Sequence, residues 1–144
     1  MQINLFAEET QLERLSKSGD SLERLKIIDF ESFRPTLTDG LKKERKSRAG
    51  RPSFDHVMMF KVLVLQRLFN LSDEQTEYQI TDRMSFQRFL GLSLGEKVPD
   101  AKTIWVFRNT LTESGIIENL FSQFNPVYNL CRFAYLCRKE SATG

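Results

Sequence analysis

Val57-Met58-Met59-Phe60-Lys61-Val62-Leu63-Val64-Leu65-Gln66-Arg67-Leu68-Phe69 is apolar nearly all the way round. A helix with so little polar face has no side to give to water, since the apolar stripe of a surface helix spans little more than about 100° of its circumference. The stretch predicts a helix in the middle of a bundle, capped by Ser53 or Asp55 and running to about residue 70. Met58 and Met59 read as core filler rather than as ligands.

The flanking sequence supplies the rest of the bundle. Ser72-Asp73-Glu74-Gln75 is a capping-box pattern opening a more polar helix over 74–83. A short helix follows from Ser85 to the glycine at 91, and 91–99 make a loop. Asp100 then caps a helix over 101–113, with Ile104, Phe107 and Leu111 on one face, and Gly115 breaks it. Residues 116–124 add an amphipathic turn or two that Pro126 stops, and the tail over 127–139 is helical again. Upstream, Leu22, Leu25 and Ile28 after Asp20 predict a helix, and a second runs over 30–41, started or interrupted at Pro35. Period-two alternation is lacking, so the fold class is all-α, a multi-helix bundle.

Composition bounds the function. The 144 residues suit one domain, and a mean hydropathy of -0.37 with apolar runs as short as 57–60, 62–65 and 133–137 predicts no membrane span. Acidic residues at 8, 9 and 13 stand where a secretory signal needs basic and apolar ones, so a cytoplasmic location is expected. Cys131 and Cys137 on one helix lie roughly 9 Å apart, beyond disulfide reach, and read as packing residues. With His56, the only histidine, they make a poor zinc set, and His56 at a helix start reads as structural. The net charge of +2 is unevenly spread. Residues 1–41 carry -3, whereas 42–51 carry +5 through Lys42, Lys43, Arg45, Lys46, Arg48 and Arg51. Such a run reads as a nucleic-acid patch or localisation signal, or equally as a solvated linker.

A short helix and a turn join the 74–83 and 101–113 helices, a helix-turn-helix-like arrangement whose second helix is the candidate reader. Opposite Ile104, Phe107 and Leu111 it is expected to present Lys102, Thr103, Trp105, Arg108 and Asn109, residue types suited to base edges and phosphates. Its first turn is expected to offer unbonded N–H groups to a phosphate. Many ordinary surface helices carry a similar set, so a bundle face with no DNA role stays open on these residues alone.

Longer blocks add a resemblance. Gly50-Arg51-Pro52-Ser53-Phe54-Asp55, Met59-Phe60-Lys61, Leu65-Gln66 and Leu71-Ser72-Asp73-Glu74-Gln75 come first. Asp82-Arg83-Met84-Ser85-Phe86-Gln87-Arg88-Phe89-Leu90-Gly91-Leu92 and Val98-Pro99-Asp100-Ala101-Lys102-Thr103-Ile104-Trp105-Val106-Phe107-Arg108 follow in order. Together they resemble the opening of bacterial insertion-sequence DDE transposases, those of the insertion-sequence-five family above all. The resemblance implies an N-terminal DNA-binding domain over 20–125 that recognises terminal inverted repeats in double-stranded DNA. Residues 1–19 then form a weakly ordered lead-in, 42–52 a basic loop, and 126–144 a C-terminal helix. In the family a catalytic domain follows, with two Asp and one Glu holding two Mg ions. Here Glu113, Glu118 and Glu140 are the only acidic residues after Asp100. Tyr128-Asn129-Leu130-Cys131-Arg132-Phe133-Ala134-Tyr135-Leu136 looks like the far C-terminal helix of such enzymes, which points to an internal deletion near 124–128, with a frameshift or chance similarity in the tail as the alternative. The expectation is a DNA-binding protein without catalytic residues or cofactor, whose other partners are full-length transposase or a second copy of itself. A helix-turn-helix transcription regulator and an interaction module that binds no DNA are the alternatives.

Overall fold

Asp55 opens the central helix by accepting a hydrogen bond from the Met58 N–H at 3.2 Å, and Asn70 closes it in the left-handed conformation, φ 51°. Between them α2 spans His56–Phe69 and buries Val57, Met58, Met59, Phe60, Val62, Leu63, Val64 and Leu65. The computed structural model describes residues 22–41 and 54–142 together with Arg14, with side chains, that of Arg24 excepted, as far as Asn129. Within them the other helices are α1 (Arg34–Leu41), α3 (Asp73–Asp82), α4 (Met84–Leu90), α5 (Ala101–Glu113) and α6 (Ile117–Ala142). No strand occurs among the described residues. The chain is an all-α multi-helix bundle. Helix α2 sits at its centre and touches α1, α3, α4 and α5, as the all-apolar stretch predicts.

The caps explain why the helices start where they do. Ser72 and Gln75 form the reciprocal capping box, each side chain bonding the other's backbone N–H, at 3.0 and 3.2 Å. Asp100 accepts from the Thr103 N–H at 2.7 Å and opens α5. Gly91 (φ 76°) ends α4 and Gly115 (φ 74°) separates α5 from α6, both in the left-handed region that favours glycine.

The expected helix after Asp20 is instead a 3-10 turn over Glu23–Ile27. Its buried residues Leu22, Leu25 and Ile28 repeat strictly every third position, which suits three residues per turn better than 3.6. A second 3-10 turn, Phe30–Phe33, runs straight into α1, with Pro35 in the first turn of that helix, where its missing N–H costs nothing. Phe30 and Phe33 join Phe60, Phe121 and Phe124 in an aromatic core with ring centroids as close as 5.1 Å.

Pro126 does not stop the chain, contrary to the sequence expectation. Helix α6 runs from Ile117 through Pro126 to Ala142 as one element. A proline removes one N–H and crowds the carbonyl four residues back, a cost of roughly 3 kcal/mol that tertiary contacts can offset. Those contacts lie on both sides of it: buried Phe124 stacks on Tyr128 at 5.7 Å, so one aromatic face bridges the proline. Gly40 in α1 permits a close approach, because a Cβ there would collide with Ile116 Cδ1.

Candidate nucleic-acid interface

Helix α5 is held from two sides. Ile104 and Leu111 are fully buried in the core. On the flank facing α3, the Ala101 N–H donates to Glu77 Oε2 at 2.9 Å, and the Arg108 guanidinium forks onto Asp73, Nη1 to Oδ1 at 2.6 Å and Nη2 to Oδ2 at 2.9 Å. Gln66 of α2 completes the cluster, accepting from Arg108 Nη1 at 2.8 Å and donating to Asp73 Oδ1 at 2.7 Å. Asp73 begins α3 and meets the later half of α5, while Glu77 meets its start, so the two helices run antiparallel. The hydrogen bond from Arg108 holds the Asp73 carboxyl below the usual carboxylate range against the opposing effect of burial. The same bond raises the Arg108 pKa.

The expected placement of Arg108 on the outer face is therefore corrected. Residues 104, 108 and 111 are spaced i, i+4 and i+7, which puts Arg108 on the stripe of Ile104 and Leu111 rather than opposite it. Three of its five donors are committed to Asp73 and Gln66. The expected unbonded N–H groups at the start of α5 are corrected too. Glu77 occupies that of Ala101 and Asp100 that of Thr103, so carboxylates already lie where an anion would sit. Hydrogen bonds from Thr103, its side chain first and then its backbone, hold the Asp100 carboxyl low.

Three of the remaining residues of the candidate reader, Lys102, Trp105 and Asn109, do share one face. Lys102 is exposed, Trp105 is 52% exposed and Val106 beside it 46%. Asn109 is half-buried and donates to Glu113 Oε1 at 3.1 Å, and Thr103 is half-buried at the edge. Lys42, Lys43, Arg45, Lys46, Arg48 and Arg51 lie outside the described residues, as do the side chains of Cys131 and Cys137 on α6. His56 is half-buried at the start of α2, its ring centroid 6.4 Å from that of Phe107.

Sequence reasoning missed Asp73, Glu77 and Gln66 as the residues that orient α5. A signal existed for the first two, since Asp73 and Glu77 are i, i+4 neighbours on one face of α3. Their acidic character also decides what they cannot do. Asp73 is paired with Arg108, Asp55 with Arg34 at 2.8 Å, and Asp100 and Glu77 cap α5. Among the described residues no three His, Cys, Asp or Glu side chains converge on one point.

Fold and surface together define a helical domain that anchors one helix by its inner face and offers Lys102, Trp105 and Asn109 on its outer face. Residues 10–110 match the family model described as Transposase domain (DUF772). The chain belongs to that transposase-domain family. No solved structure matches it. Among the described residues no helix is long and apolar enough to cross a membrane.

Proposed function

We propose that this transposase-derived chain binds double-stranded DNA at the terminal inverted repeats of an insertion sequence. The observation that carries the reading is the outer face of α5. Lys102, Trp105 and Asn109 stand there on a helix whose inner face is locked by Arg108, Asp73, Gln66 and Glu77. In this reading α3 and α5 act as a helix-turn-helix-like pair, and α5 enters the major groove. Asn109 suits adenine, Lys102 guanine or phosphate, and the Trp105 ring a thymine methyl. Thr103 and the basic segment, Lys42, Lys43, Arg45, Lys46, Arg48 and Arg51, supply sequence-independent phosphate contacts.

Arg108 takes a different role from the outer residues, that of a positioning residue acting through Asp73. For residues 1–144 the proposal is binding without cutting: Asp73 and Asp55 serve as ion-pair partners, and Asp100 and Glu77 bond the first turn of α5. Full-length transposase or a second copy of the chain is the protein partner this reading favours.

A gel-shift titration at several salt concentrations tests it, comparing the inverted repeats of related elements in the source genome with a scrambled duplex, with and without Mg²⁺. Preference for the repeats with no nicking is expected. Tight binding to promoter DNA instead would favour a transcription regulator. Absence of binding at every salt concentration would favour an interaction module built on Trp105 and Val106. Nicking that depends on Mg²⁺ would overturn the assignment of binding alone.

A further inference from the structure

A cavity of about 600 Å³ opens where α2 ends, α3 and α6 begin and the later half of α5 passes. Its size falls in the range of small-molecule sites, about 300–1,000 Å³. Gln66, Asp73 and Arg108 form one wall and are occupied with one another. Leu63, Leu71 and Ile117 supply an apolar lining.

Arg67 is the distinctive member. Its guanidinium lies over the ring of buried Phe121, 4.5 Å from the centroid, and is itself exposed to the cavity. A planar cation backed by an aromatic ring is a stacking platform, and unstacked bases are held on guanidinium planes of this kind. Glu74 and Glu118, in the first turns of α3 and α6, line the same cavity as exposed carboxylates. They make it a poor place for a phosphate and a good one for N–H donors. Asn70, which closes α2, adds a carboxamide that both donates and accepts. A ligand suited to this lining is planar, uncharged, rich in N–H donors and apolar on its faces, and a nucleobase meets every one of these conditions. Guanine meets them best. It alone among the bases of DNA carries two adjacent N–H donors on one edge, N1–H and the N2 amine, which a carboxylate accepts as a pair.

We propose that this cavity binds an unstacked guanine base, its ring on the Arg67 guanidinium and its N1–H and N2 amine on Glu74 or Glu118. The shared chemistry is the base itself, carried either by a free nucleoside or by an unpaired nucleotide of a DNA strand. The site is separate from the outer face of α5, and its occupancy does not depend on that face meeting DNA.

Calorimetric titration of the full chain with guanosine, inosine and adenosine tests the assignment. Saturable binding of guanosine is expected, tighter than that of adenosine, with inosine, which keeps N1–H and lacks the N2 amine, between them. Arg67→Ala should weaken guanosine by about tenfold, within the range that removing one base-stacking side chain gives. Arg67→Lys keeps the charge and loses the plane, so it should weaken guanosine nearly as much. Glu74→Gln combined with Glu118→Gln should remove the preference over adenosine. Lys97→Gln, at an exposed lysine elsewhere, should leave binding unchanged. Because loss of Arg67 uncovers Phe121, the Arg67 Nε–Hε resonance of the unsubstituted chain is followed as well, and it should shift saturably with guanosine. A duplex ending in one unpaired guanine that displaces guanosine better than its blunt twin assigns the DNA strand as the source, and equal failure of both assigns the free nucleoside. Silence of the Arg67 resonance up to millimolar guanosine, equal affinity for guanosine and adenosine, or undiminished binding in folded Arg67→Ala would overturn the proposal.

Discussion

Replacing Arg108 with alanine separates the two roles a helix arginine can have here. The side chain is 33% exposed and its partner Asp73 17%, with two short bonds between them and a third to Gln66. A hydrogen bond to a charged group is worth about 1.5–3 kcal/mol when well formed, and partial solvent screening lowers that. Removing the guanidinium also leaves the Asp73 carboxylate mostly buried with Gln66 as its remaining side-chain donor. We expect a loss of about 2 kcal/mol for Arg108→Ala, which for a chain of this size lowers Tm by about 6–8 °C. Arg108→Lys, which keeps the charge and loses the fork, should lie between that variant and the unsubstituted protein. The pH dependence has a definite sign. Because Asp73 titrates below its unfolded value, the stability it contributes is fully present above the ordinary carboxylate range. It is lost as pH falls through the lowered value in the folded state. The Tm difference between the unsubstituted protein and Arg108→Ala should therefore shrink on acidification. Thermal unfolding followed by circular dichroism from neutral pH downward makes the measurement. An Arg108→Ala variant that melts like the unsubstituted protein but loses its preference for the repeats would refute the positioning role, and the guanidinium would then be a base reader.

Three further outcomes follow from the same contacts. Ser72→Ala removes one arm of the capping box and should cost about 1 kcal/mol by denaturant unfolding, with binding little changed. Lys102→Gln, at an exposed position, should leave Tm within about 2 °C and lower affinity for the repeats in a gel shift, since surface substitutions seldom move stability by more than ±0.5 kcal/mol. Arg48→Ala should weaken repeat and random duplexes about equally and flatten the plot of log affinity against log salt by about one unit, the signature of one lost phosphate contact.

Much of the bundle was legible because its local signals agree with its packing. Asp55, Ser72 and Asp100 sit where their side chains reach N–H groups of the first turn, and each starts a helix as expected. Pro126 misled because propensity is local. A proline's cost is set by backbone geometry, but whether a helix survives it depends on flanking aromatic contacts such as Phe124 on Tyr128, which no short window reveals. Arg108 misled for a different reason. Phe107 and Leu111 drew the apolar stripe to one side, and the polar label of arginine concealed that Ile104, Arg108 and Leu111 form one i, i+4, i+7 row. Its partner Asp73 lies 35 positions away, and nothing in α5 itself announces a carboxylate there. A polar residue on an inward row is better matched first against acidic residues elsewhere in the bundle than assigned to a ligand.

The central claim is that the outer face of α5 meets DNA, and Trp105, the only tryptophan, reports on that face directly. Its emission should be that of a largely solvated indole in the free protein. Titration with an inverted-repeat duplex should quench or blue-shift it saturably, at lower concentration than a scrambled duplex, and added salt should move both curves to higher concentration. An emission that stays constant while a gel shift reports binding to the repeats would place the DNA elsewhere on the molecule and contradict the account.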